Sequence, residues 1–217
     1  MSDLDLITIG RSSVDLYGAQ VGGRLEDMGS FDKYIGGSPT NIACGTARLG
    51  LKSAVITGVG DEHMGRFITE QLAREGVSTE GVKVDPERLT ALVLLGIRDQ
   101  EQFPLIFYRE NCADMGLTED DIDPAFIRRA RAVVATGTHL SNPKVEAATL
   151  KALEMVDKRI KVHVARNGAE ALAFLRRLPP YQDAPKPRLI VLDWNLPKVH
   201  GREVPAVTRS TDAIRDI

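Results

Sequence analysis

Residues 36–41, Gly36-Gly37-Ser38-Pro39-Thr40-Asn41, decide how this chain is read. Two adjacent glycines just before a helix let backbone approach a ligand closely, and the first-turn N–H groups point outward without partners. Pro39 suits a first helical turn, and the spacing predicts a helix over 38–49 with Ile42, Cys44, Ala47 and Leu49 on one face, ended by Gly50. Asn41 donates and accepts, as a polyol hydroxyl requires.

Upstream, Leu4-Asp5-Leu6-Ile7-Thr8-Ile9-Gly10 is a short apolar run closed by glycine, the pattern of a buried strand opening into a loop, and Asp15 follows just beyond its end. An aspartate there can accept from two hydroxyls at once. Downstream, 53–58 is predicted as a strand and 62–75 as a helix closed by Gly76. The stretches 90–98 and 104–109 read as paired strands about the turn Asp99-Gln100-Glu101, a β lid at about 89–110 that shields ligand from water. A strand at 132–136 and a helix at 143–155 follow, then a strand at 160–165, a helix at 168–177, a proline-rich connector at 178–187 and a strand at 189–193. Such alternation implies an α/β fold with a mainly parallel, doubly wound sheet.

Composition narrows the partners. The 28 basic and 30 acidic residues are interspersed, giving a net charge of −2 without the basic stripe that nucleic acid needs. No apolar run approaches the ~20 residues of a bilayer span. The only cysteines, Cys44 and Cys112, lie far apart and without metal-ligand spacing, so they are expected as small buried thiols of a cytoplasmic protein.

Gly36-Gly37-x-x-x-Asn41-x-Ala43, Gly50, Gly60 and the turn at 61–65 together resemble the amino-terminal signature of the ribokinase-like carbohydrate kinases. The stretches 88–97 and 103–114, with Ala135-Thr136-Gly137-Thr138-His139, resemble the 5-dehydro-2-deoxygluconokinase branch of that family; the similarity covers residues 1–156. The resemblance implies a sugar site at Asp15, Gly36, Gly37 and Asn41. It also implies ATP and Mg2+ as co-substrate and metal, and a small sugar acid as substrate. Arg109, at the end of the lid, offers a forked guanidinium suited to a carboxylate, against the plainer alternative of a solvated surface charge. A homodimer through the lid is a further expectation.

In these kinases the catalytic aspartate lies on a Gly-x-Gly-Asp turn of the carboxyl-terminal half, and the resemblance stops before that half. Gly58-Val59-Gly60-Asp61 matches by letters but follows an early strand, so it reads as a strand-to-helix loop, and His139 reads as a loop residue rather than a base. No catalytic residue is assigned. The activity expected by resemblance is ATP-dependent phosphorylation of 5-dehydro-2-deoxygluconate or a similar sugar acid, with this chain inactive alone.

Within the second segment, 157–217, the stretches 162–177 and 187–204 resemble part of a response-regulator receiver, with flavodoxin-like βαβ elements and Asp193 aligned on the phosphate-accepting aspartate. The strands that would carry its metal pair, hydroxyl and lysine are not recognisable, and Pro205 strains the helix expected after Gly201. Two alternatives to a kinase-derived chain therefore stand: a phosphoacceptor working through Asp193, and a chimera without activity.

Overall fold

The computed structural model describes residues 3–156, 163, 165 and 167–185. The chain divides into two compact units, Met1–Lys161 and Val162–Ile217. The first contains, in order, β1 (Leu4–Ile9), β2 (Ser13–Gly18), β3 (Phe31–Gly36), α1 (Ser38–Arg48), β4 (Ser53–Gly60), α2 (His63–Arg74), β5 (Val82–Asp85), β6 (Ala91–Leu95), β7 (Leu105–Tyr108), α3 (Pro124–Ile127), β8 (Ala130–Ala135) and α4 (Pro143–Val156).

A parallel sheet in the order β5-β4-β1-β8 forms the centre. The two-residue alternation of β4 sends Ala54 and Ile56 to one face and Val55 and Val59 to the other. On the first face Ile7 and Ile9 join them under Leu117, Ile122, Phe126, Ile127 and the α4 residues Val145, Ala148 and Ala152. On the second, Ala43 and Cys44 of α1 and Ile68 and Leu72 of α2 close the core. Helices thus cover both faces, as the expected α/β class requires. Ile7, Ile9 and Ile68 are fully enclosed, each contributing about 1.5–3 kcal/mol relative to exposure.

The buried stripe of α1 differs from the expected one. Pro39, Thr40, Ala43 and Cys44 face inward while Leu49 is 83% exposed, because small side chains let the helix lie close to the sheet and Leu49 stands past its last turn.

A second four-stranded sheet, β3-β2-β6-β7, contains the stretch expected as a lid. The expected hairpin is present as the antiparallel pair β6–β7, with Leu92 opposite Tyr108. It is only half of that sheet. Asp15, expected in a loop, lies inside β2, which pairs antiparallel with β3 and parallel with β6. Val14, Leu16, Ile35 and Leu92 pack into the α2 side of the core, so the register turns Asp15, Tyr34, Val93 and Phe107 to the opposite face.

The joint between lid and core is the turn at 60–65. Glu62 caps α2 by accepting from the N–H groups of Met64 (2.5 Å) and Gly65 (3.1 Å), and accepts also from the Thr90 hydroxyl at the start of β6. Thr90 Oγ1 in turn accepts from Gly60 N–H at 2.9 Å. A Cβ at Gly60 would stand 2.6 Å from Arg88 O, so this glycine serves close packing. Burial works to raise the Glu62 carboxyl, but the donors from Thr90, Met64 and Gly65 outweigh it and hold it below 4.5. Such a group stabilises fully above its unfolded value and loses that contribution as pH falls through the lowered folded value. Glu62→Gln is therefore expected to cost about 1–2 kcal/mol at neutral pH in urea unfolding, and the difference should shrink as pH falls through the lowered folded value of Glu62.

In the second unit, α5 (Gly168–Leu175) begins at Asn167, whose side chain accepts from Glu170 N–H at 3.0 Å. Tyr181 donates to Glu170 Oε1 at 2.6 Å, and its ring stands 5.6 Å from that of Phe174. The helix falls where the sequence predicts one. The strand expected at 160–165 lies mostly outside the described residues, and the strand at 189–193 and Asp193 lie wholly outside them.

Candidate functional site

The end of β1 is fixed by buried hydroxyls. Ser12 N–H donates to Thr57 Oγ1 at 3.0 Å, Ser12 Oγ and Thr40 Oγ1 are 2.6 Å apart, and Thr40 Oγ1 reaches Arg11 O at 3.3 Å. Thr8 Oγ1 donates to Pro39 O at 3.0 Å. All four side chains are fully buried, so the start of α1 is tied to both central strands.

The two glycines bring backbone to this point. Gly37 has φ 102°, and a Cβ there would overlap Arg11 O; a Cβ on Gly36 would overlap the Asp15 carboxylate. Asp15, Gly36, Gly37 and Arg11 are thereby gathered in one place. Ser13 donates to Asp15 Oδ1 at 2.8 Å. Burial pushes the Asp15 carboxyl above its ordinary range, with the Ser13 hydroxyl and the Arg11 charge pulling back. Asn41 stands exposed in the first turn of α1, its N–H donating to Gly37 O at 2.9 Å, and its carboxamide has no protein partner among the described residues.

Arg109 is not a solvated surface charge. Its Nε and Nη2 both donate to Asp114 Oδ2, at 2.8 and 2.6 Å, and its side chain is 17% exposed. Asp114 is fully buried, and its Oδ1 has no hydrogen-bond partner among the described residues. His139, in the turn after β8, is fully buried, neither ring nitrogen has a hydrogen-bond partner among the described residues, and Nε2 lies 3.5 Å from Asp114 Oδ2. Arg11 places its guanidinium carbon 5.2 Å from the centre of the Phe107 ring and lies within the electrostatic reach of Asp15, Arg109 and Asp114. Buried polar atoms without partners are uncommon and concentrate where a ligand or ordered water completes them.

Arg11, Asp114 and His139 were not singled out from sequence as site residues. Arg11 immediately follows the end of β1, the place where open α/β sheets bind ligands, so that rule points to it as much as to Asp15. Nothing local marks Asp114 or His139, whose burial is set by tertiary packing.

A model of the pfkB family carbohydrate kinases matches residues 3–188. The chain belongs to that family. It is 38% identical over 155 residues to the 5-dehydro-2-deoxygluconokinase of Listeria monocytogenes, covering 71% of this chain and 48% of that protein. The enzyme of the same name from Geobacillus kaustophilus is 39% identical over 152 residues, covering 70% and 45%. Among solved structures, a PfkB protein from Polaromonas sp. is 31% identical at TM-score 0.66, covering 70% of this chain and 51% of that one. An uncharacterized sugar kinase from Pyrococcus horikoshii in complex with ATP is 28% identical at TM-score 0.65, covering 70% and 49%.

This pfkB chain spans about half the length of the curated relatives it matches. The family match also crosses residue 157 and runs to residue 188, through most of the stretch expected to be receiver-like, so the pfkB resemblance extends beyond its expected end at 156 and no comparison supports a receiver there. Asp193 lies past the matched residues as well as outside the described ones. No helix among the described residues is long and apolar enough to cross a membrane.

Proposed function

We propose that this pfkB chain is the sugar-binding part of a kinase whose substrate is a sugar acid of the 5-dehydro-2-deoxygluconate type. The buried Arg109–Asp114 pair supports this most directly, since it holds a guanidinium by one edge within electrostatic reach of Arg11, which itself stands within reach of Asp15 and against Gly37. In this reading Asp15 accepts sugar hydroxyls, the glycines give backbone access, Asn41 contributes from the helix start, and Arg109 meets the carboxylate. The names of the relatives point to the same substrate.

Family membership implies ATP as phosphoryl donor, and one solved neighbour is itself an ATP complex. The Gly58-Val59-Gly60 turn does not fit a nucleotide phosphate, however. The glycines of Gly58-Val59-Gly60 are packed against Ala113 O and Arg88 O rather than open to an anion, and no group of three metal-ligating side chains occurs among the described residues. With about half the relatives' length in hand, we expect binding without turnover. Exposed Phe103, Leu105, Ile106, Phe107 and Tyr108 along β7 favour a lid-to-lid homodimer, and the protein is read as cytoplasmic. Phosphate acceptance at Asp193 stands as the alternative, supported by its sequence motif alone.

Isothermal titration calorimetry with 5-dehydro-2-deoxygluconate tests the proposal. Saturable binding is expected, weakened on the order of tenfold or more by Asp15→Ala through loss of a charged acceptor. No heat at millimolar ligand would overturn it.

A further inference from the structure

We propose that Arg11 is the second arm of a two-arginine clamp which, with Arg109, makes this site select a carboxylate-bearing ligand over a neutral sugar. The inference rests on the sugar-acid reading above and deepens it by naming a residue that sets the preference.

The geometry is that of a cation held ready. The backbone of Arg11 is pinned between Gly37 and Thr40, so the side chain leaves a fixed origin. Its path crosses the Phe107 ring on the face of the lid that also carries Asp15. Arg11 Nε is buried without a hydrogen-bond partner, and among the described residues the guanidinium makes no ion pair. Burial, and then the charge of Arg109, both disfavour the protonated form of Arg11. Arg109 differs in having Asp114, which commits Oδ2 to it through two donors.

Two cations thus lie within electrostatic reach of each other and of one committed carboxylate, and Arg11 also lies within reach of Asp15, whose own charged form burial disfavours. A neutral hydroxyl can satisfy an unused N–H but cannot cancel the repulsion between the arginines. An entering carboxylate does both, since its two oxygens can accept from both guanidinium groups at once. The ring of Phe107 attracts Arg11 through its face but accepts no conventional hydrogen bond, so it supports the waiting side chain without replacing the ligand. Arginine is the residue type required, because its planar fork matches a carboxylate where a lysine offers a point charge.

The test is calorimetry of the parent chain, Arg11→Ala and Arg11→Lys against 5-dehydro-2-deoxygluconate and its methyl ester, with folding checked by circular dichroism. The parent chain should prefer the acid. Arg11→Ala should weaken the acid on the order of 10–100-fold while leaving the ester within about threefold, and Arg11→Lys should fall between. Retained acid preference in Arg11→Ala, or equal weakening of both ligands, would overturn the clamp and leave the sugar site standing. So would a parent chain that binds ester as tightly as acid. If neither ligand binds the parent chain, the sugar-acid reading falls and the clamp with it. Should Arg11→Ala fail to fold, Arg11→Gln keeps the stem over Phe107 and is judged by the same outcomes.

Discussion

Asp114→Ala is expected to lower folding stability by about 3–5 kcal/mol, the range for removing one partner of a buried ion pair. The carboxylate is fully enclosed and receives two N–H groups of Arg109, itself mostly withdrawn from water. Without it the guanidinium keeps its charge and loses its counter-charge, with Arg11 nearby to repel it. His139 beside it supplies no negative charge in compensation. Asp114→Asn should be milder, since an amide oxygen can still accept from Arg109 at the same place. Urea unfolding checks both. A loss below about 1 kcal/mol in Asp114→Ala, as for an exposed pair, would contradict the burial of this cluster.

The second large effect comes from adjacent glycines with different constraints. Gly37→Ala should cost about 3 kcal/mol or more, because φ 102° is a conformation side chains rarely adopt and the new methyl would overlap Arg11 O. Relief would require the end of β1 and the start of α1 to separate, breaking the hydrogen bonds that join Ser12, Thr40 and Thr57. At Gly36 the methyl would meet only the tip of the Asp15 side chain, with no positive φ. Gly36→Ala should therefore fold within about 1 kcal/mol of the parent chain yet displace Asp15, weakening sugar-acid binding severalfold. Thermal melts and calorimetry on the pair separate the two roles. Equal stability loss in both variants would mean that backbone strain is not what distinguishes them.

The sequence was readable where the determinant is local. The glycine closing α2 at Gly76, with φ 78°, and the apolar run of β1 set their elements through a few neighbouring residues. The hairpin β6–β7 was visible for the same reason, its turn lying between its strands. By contrast β2 and β3 carry mixed polarity, and β2 finds its partner at β6, Ser13 opposite Ala91, a pairing that no local pattern announces. The four-residue β5 is too short for periodicity to register. At the site, Gly36 and Gly37 stood out by residue type alone. The state of Arg109 depended on Asp114, whose burial comes from packing rather than spacing. Asn41 is placed beside the glycines in sequence but makes no side-chain contact that gathers it into the cluster.

The order β3-β2-β6-β7 has a consequence for protein engineering. A sheet made from one hairpin could be excised or exchanged as a cassette; this one is woven from two excursions of the chain, one leaving the core before α1 and the other after β5. Deleting the loop at 89–110 would strip β2 of its parallel neighbour and remove Thr90 from the cap of α2, so grafting a different specificity onto this scaffold means replacing two separate segments together.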